Sequence, residues 1–158
     1  MDKGGELHIE TVSLNKATQV VSLKMEEPKH IILDPDMKAL FEAEFNPGDD
    51  KLRHLLNNGK TIRGLMQAIS ELAKTGKRKN LQAIHDYLKS ETRWGLRIHA
   101  YRALATVAND YAFNHLASLL RNEKDPMAIE EAARACGGHK NPILREAILE
   151  KLNEPDLP

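Results

Sequence analysis

The chain has 158 residues, enough for one domain or one small domain with a short appendage. Lys plus Arg total 23 and Asp plus Glu total 23, so the formal charge is zero, which argues against a general nucleic-acid binder or a polybasic membrane binder. One Trp, three Tyr and three Phe are too few for rich stacking platforms, the lone Cys136 cannot form an internal disulfide, and no apolar run approaches the roughly 20 residues of a membrane span.

The first residues show no apolar signal-peptide core, and the expected compartment is cytoplasmic. Residues 6–33 then read with a period of two. Leu7 and Ile9 alternate with His8 and Glu10, and Val21, Leu23 and Met25 alternate with Ser22 and Lys24. Such alternation predicts half-buried strands, with Asn15-Lys16-Ala17-Thr18 of hairpin length between them. A third run, His30-Ile31-Ile32-Leu33, lies between Pro28 and Asp34-Pro35-Asp36, where the prolines punctuate. The expectation is a β appendage of two or three strands over 6–36, followed by a bridge over 37–48. So few strands need another surface to pack on, or a second copy paired through their exposed edges, which would make a homodimer.

From Asp49 the period becomes 3.6, and the chain repeats itself every 32 residues without a gap. Leu52, Ile84, Leu116 and Ile148 fall in one column, and Leu56, Leu88, Leu120 and Leu152 in another. These predict helices over 49–57, 79–90, 111–121 and 141–152. Ala68, Ala100 and Ala132 form a third column, and Leu72, Leu104 and Cys136 a fourth, predicting helices over 61–75, 93–108 and 126–137. Asp125-Pro126 and Asn141-Pro142 put a capping side chain before a proline at the first helical position. Thr61 and Thr92 are the expected caps of the other two long helices, and Gly76 and Gly137-Gly138 the expected left-handed stops. The alanine column lets paired helices approach closely while Leu and Ile fill the layer between pairs. No pair can bury its apolar face alone, so stacking makes the core. The reading is a mainly α solenoid of about seven helices over 49–153, behind the small β appendage.

Residues 91–110, with Arg97, Ala100, Ala103 and Leu104, and residues 124–154, with Ala132, Ala133, Ala135, Cys136 and Gly137, resemble HEAT repeats. They are similar to the short subclass first noted in phycobiliprotein lyases, although Glu130 replaces that pattern's valine-arginine region. Ankyrin and tetratricopeptide signatures are absent. The order Val20-Val21-Ser22-Leu23-Lys24-Met25, Pro28 to Asp36, Leu40 and then the repeats resembles the C-terminal region of aminopeptidase N-family zinc peptidases. There, sandwich strands lead through an Asp-Pro and a short bridge into HEAT-like helices. That resemblance implies a module that packs on a catalytic domain elsewhere in a parent chain. The family's His-Glu-x-x-His zinc motif is absent, since none of the seven histidines precedes a glutamate, so no catalytic residue, metal or cofactor is carried over.

Four constellations invite a chemical reading. His54, His85 and His115 recur on successive short helices, but the register puts them in different columns, which predicts separate rim positions rather than a metal site. Cys136 falls in an apolar column and is expected to be a buried small hydrophobe. Lys77, Arg78 and Lys79 crowd the turn between two helices. Arg63, Arg93, Trp94 and Arg97 sit at the starts of the long helices, and with the lysine-arginine turn they make the candidate interaction surface. The resulting expectation is a non-catalytic interaction or scaffold module whose partner is a protein or the rest of a larger chain. The alternatives are a stand-alone adaptor or lyase-like accessory factor, and a HEAT-like DNA-binding or DNA-repair protein.

Overall fold

A computed structural model describes residues 8–13, 15–16, 18–22, 24, 26–38 and 45–155. Among the described residues seven helices follow one another: α1 (Asp49–Asn58), α2 (Ile62–Lys74), α3 (Arg78–Leu88), α4 (Trp94–Thr106), α5 (Asp110–Asn122), α6 (Pro126–Gly137) and α7 (Pro142–Leu152). Each lies within about two residues of its expected span, the usual scatter of helix ends. They form two layers. In the first, α1, α3, α5 and α7 are successive neighbours; in the second, α2 packs on α4 and α4 on α6.

The columns explain the layering. Leu52, Ile84 and Leu116 are buried on the first-layer helices, and Ala68, Ala100 and Ala132 are wholly buried on the second-layer ones. Large side chains thus meet small ones, which lets helices close while Leu and Ile fill the space between hairpins. Each such Leu or Ile contributes about 1.5–3 kcal/mol by leaving water. Cys136 is fully buried beside this core, in register with Leu72 and Leu104, and burial pushes its thiol up to about 12.

Local signals set the helix starts. Thr61, Asn109 and Asp125 accept from the amides of Gly64, Ala112 and Ala128, and Asn141 accepts from Ile143 and Leu144. Gly76 turns the chain after α2 with φ of 62°, the left-handed conformation that glycine tolerates. Two expected stops and starts differ. Gly138 keeps a right-handed helical conformation. Thr92 does not cap α4; Arg93 holds the cap position with no side-chain bond. The Glu91 carboxylate instead accepts from the Arg93 amide at 2.7 Å and from its Nε at 2.8 Å, so an ion pair fixes this turn.

The expected β appendage is corrected: no strand is present among the described residues, and the fold is all helical. Two or three short runs cannot sustain a sheet without a further surface to pack on, and the helices take up none of the alternating residues described before Pro28. Ile9 and Val20 are exposed. Residues 27–33 find a different use, draped over α1 and α2. The Glu27 carboxylate meets Lys51 at 2.7 Å, and a His30 ring nitrogen lies 3.2 Å from one of His54. Ile32 presses on Gly64, where an added Cβ would come within 2.9 Å of its side chain. The chain thereby covers the first end of its own solenoid. The strand-edge route to a homodimer falls with the strands. Glu6, Leu7, Ala17, Leu23 and Met25 of the expected appendage, and residues 39–44 of the bridge with Leu40, lie outside the described residues.

Candidate functional site

The basic candidates are mostly turned to internal work. Arg97 is the clearest case. Its guanidinium is gripped by Glu123 of the α5–α6 turn, with Nε to Oε2 at 2.8 Å and Nη2 to Oε1 at 3.2 Å. It also donates to the carbonyls of Glu91 and Thr92. The buried Tyr101 hydroxyl donates to the same carboxylate, and the amides of Lys124 and Asp125 complete its shell. Lys151 of α7 donates to the Glu123 carbonyl at 2.6 Å. Burial pushes the Glu123 carboxyl up, but these donors outweigh burial and hold it below the ordinary carboxylate value. Arg93 is exposed yet paired with Glu91, which its guanidinium pulls down to about 2 despite burial.

The turn cluster is also engaged in part. Lys77 pairs with Asp49 at 2.7 Å, and the Arg78 guanidinium stands 5.6 Å from the centre of the Tyr111 ring. Lys79 extends into solvent. Arg102, Arg121 and Arg134 are bridged to Glu131, Glu150 and Glu130. These pairings neutralise Arg93, Arg97, Arg102 and Arg134 in place, so those four add little net charge for a phosphate backbone. Arg63 is half-buried, with its Nε out of water and without a partner. It lines a recess of about 230 Å³ with Leu33, Phe45, Gln67, Ser70 and His99.

The structure brings together residues that the register had separated. His85 and His115 were expected at separate rim positions, but they meet across the α3–α5 interface with ring centres 4.5 Å apart, and Tyr111 stands edge-on to His115. The histidines stand two residues out of register, since His85 shares a column with Ala117, and the neighbouring helices bring the two rings together at a 38° tilt. Burial lowers the pKa of both, and the proximity of His85 lowers His115 further. His54 meets His30 of the N-terminal segment. Among the described residues, no group of three or more His, Cys, Asp or Glu is placed to hold a metal.

The second layer carries a different feature. Ile62, Trp94 and Met127 are each more than half exposed, one at the first turn of each second-layer helix. Ile62 and Trp94 share a column, and Met127 stands one residue beyond it. Isolated exposed apolar residues are unremarkable, but one per hairpin at the same helical turn makes a row along the solenoid. The sequence held the signal, since Trp94 aligns with Ile62; charge rather than exposure drew the candidate surface toward the arginines. No helix among the described residues is long and apolar enough to cross a membrane.

Comparison with known families finds HEAT repeats matching residues 50–137, more than half of the chain. That span runs from α1 to the end of α6 and leaves α7 outside. No curated protein and no solved structure matches the chain. The resemblance to aminopeptidase N-family chains finds no support there.

Proposed function

The chain belongs to the HEAT repeat family, and from that premise we propose that it is a protein-binding module whose contact line is the row Ile62–Trp94–Met127. HEAT repeats commonly serve protein–protein interaction and are generally non-catalytic. The observation that carries the reading is the contrast between two surfaces. Apolar side chains stand out of the second layer once per hairpin, while most neighbouring arginines are spent on carboxylates of the same chain. A protein segment lying across the hairpins gains from apolar contacts of this kind; a phosphate backbone does not.

Photo-crosslinking tests this reading. A benzophenone amino acid replaces Trp94 in one version of the protein and Lys79 in another, and both are irradiated in source cells. The expected result is a discrete protein adduct from position 94 and little from position 79. Nucleic-acid adducts, or protein adducts only from position 79, would transfer the contact to the basic turn.

The finer placement is beside the catalytic domain of an aminopeptidase N-like parent. Its support is the order of Asp34-Pro35 before the helical repeats. The sandwich strands that formed the other half of that order are not among the described residues. A parent gene encoding an upstream His-Glu-x-x-His motif would support this placement, and one without it would remove it.

A further inference from the structure

One arginine stands apart from the pairing that occupies its neighbours. Arg93, Arg97, Arg102 and Arg134 each meet a carboxylate of the chain. Arg63 meets none among the described residues, and its Nε is buried without a partner. A buried donor left unsatisfied is costly, so its position asks for an acceptor. Arg63 borders the recess of about 230 Å³ that α2 forms with His99 of α4. The arrangement is particular to the first hairpin. Gly95 and Met127 hold the Arg63 column in α4 and α6, and two walls of the recess, Leu33 and Phe45, come from the chain ahead of the helices.

The polar lining offers protons. His99 Nε2 lies 3.1 Å from the Met66 carbonyl, which can only accept, so that nitrogen carries the proton. Ser70 Oγ, 2.8 Å from the same nitrogen, then accepts as well, and its own proton has no acceptor among the described residues. Gln67 turns its carbonyl oxygen to the Leu33 amide, a long contact at 3.5 Å, and its amide hydrogens have no acceptor among the described residues. Glu71, the acidic member of the lining, is bridged to Lys74 at 2.7 Å. Burial lowers the pKa of His99, so the ring is neutral at neutral pH. Arg63 and Lys74 set against Glu71 leave one positive charge in excess.

We propose that this recess binds a single carboxylate carried on a short apolar body, with the Arg63 guanidinium on the carboxylate and Leu33, Phe45 and Met66 against the body. The planar guanidinium fork matches a carboxylate, and the one surplus charge matches its single negative charge. A doubly charged phosphate would keep half of its charge unmatched. The recess is also smaller than the roughly 300–1,000 Å³ of pockets for drug-sized ligands, which excludes a nucleotide. The inference goes beyond the protein-binding reading and does not rest on the apolar row. A free organic acid and an acidic side chain of a protein both present this chemistry, and the test separates them.

Nuclear magnetic resonance of the isotope-labelled full chain follows the Arg63 Nε–H signal, identified by its loss in R63Q. The probes are phenylacetate, its neutral analogue phenylacetamide, a glutamate residue blocked at both its α-amino and α-carboxyl groups, and inorganic phosphate. The expected result is a saturable shift of the Arg63 signal with phenylacetate or the blocked glutamate, and binding at least about tenfold weaker for phenylacetamide. Tighter binding of the blocked glutamate would assign the site to an acidic side chain, and tighter binding of phenylacetate to a free acid; either supports a carboxylate site. Backbone amide shifts of α2 should be lost in R63Q and weakened in F45A, with helical circular dichroism unchanged. The wild-type titration reads Arg63 directly and stands even if a variant misfolds. No saturable shift with either carboxylate, equal binding of phenylacetamide, tighter binding of phosphate, or undiminished binding by folded R63Q would overturn the proposal.

Discussion

Replacing Glu123 with alanine should cost the fold about 3–5 kcal/mol, the scale of a buried ion pair broken from one side. The mechanism is specific. The carboxylate is the common acceptor for Arg97 of α4, the Tyr101 hydroxyl and two amides of the α5–α6 turn, while its backbone carbonyl takes Lys151 of α7. Four consecutive helices converge there, and the variant leaves a guanidinium and a phenol without their partner. Arg97→Met in the same background should recover part of the loss, because it removes the stranded charge. Urea denaturation measures both. A loss under about 1 kcal/mol, or no recovery, would mean that the network only decorates the packing. Acid should show the same dependence. Glu123 and Glu91 both titrate below the ordinary value of 4.5 in the fold, so their stabilisation is present above that pH and is lost as pH falls below it. An earlier loss begins below about pH 6.5, since burial lowers the pKa of His30, His85, His99 and His115 and the unfolded chain takes up those protons first.

The second large effect compares two members of one column. Leu120→Ala should destabilise by about 2–5 kcal/mol, the cost of removing a fully buried leucine and leaving a cavity. Leu152→Ala, in register with it and identical in chemistry, should change stability by less than about 0.5 kcal/mol, as exposed positions do. Thermal or urea unfolding of the two proteins beside wild type is sufficient. Equal losses would mean that α7 is covered in the free chain and that the register does not set burial.

The helical part was legible because its signals agree at every level. Period, caps, prolines and the alanine column all point to stacked hairpins, and Asp125, Asn141 and Thr61 cap where expected. The strands were misread because alternation states only that a segment could line a sheet. It does not say whether a sheet exists to receive it, and Ile9 and Val20 have none. The candidate surface was half legible. Arg97 and Lys77 look available by position, but their partners Glu123 and Asp49 lie 26 and 28 residues away, where no local pattern reveals them. The pairing of His85 with His115 depends on the offset between adjacent helices, which the column register alone does not convey. The exposed row and the exposure of Leu152 need a burial comparison across repeats, since Leu152 and Leu120 are the same letter.

Capture from source cells shows whether this solenoid holds a protein along Ile62, Trp94 and Met127, as we propose. The wild-type chain and I62D/W94D/M127D are used as baits side by side, with bound proteins quantified by mass spectrometry. Aspartate at a first helical turn suits the helix dipole, so the variant should keep its helical circular dichroism and Tm. The expected result is a defined set of proteins enriched on wild type and lost from the variant at unchanged fold. Equal recovery on both baits would contradict it.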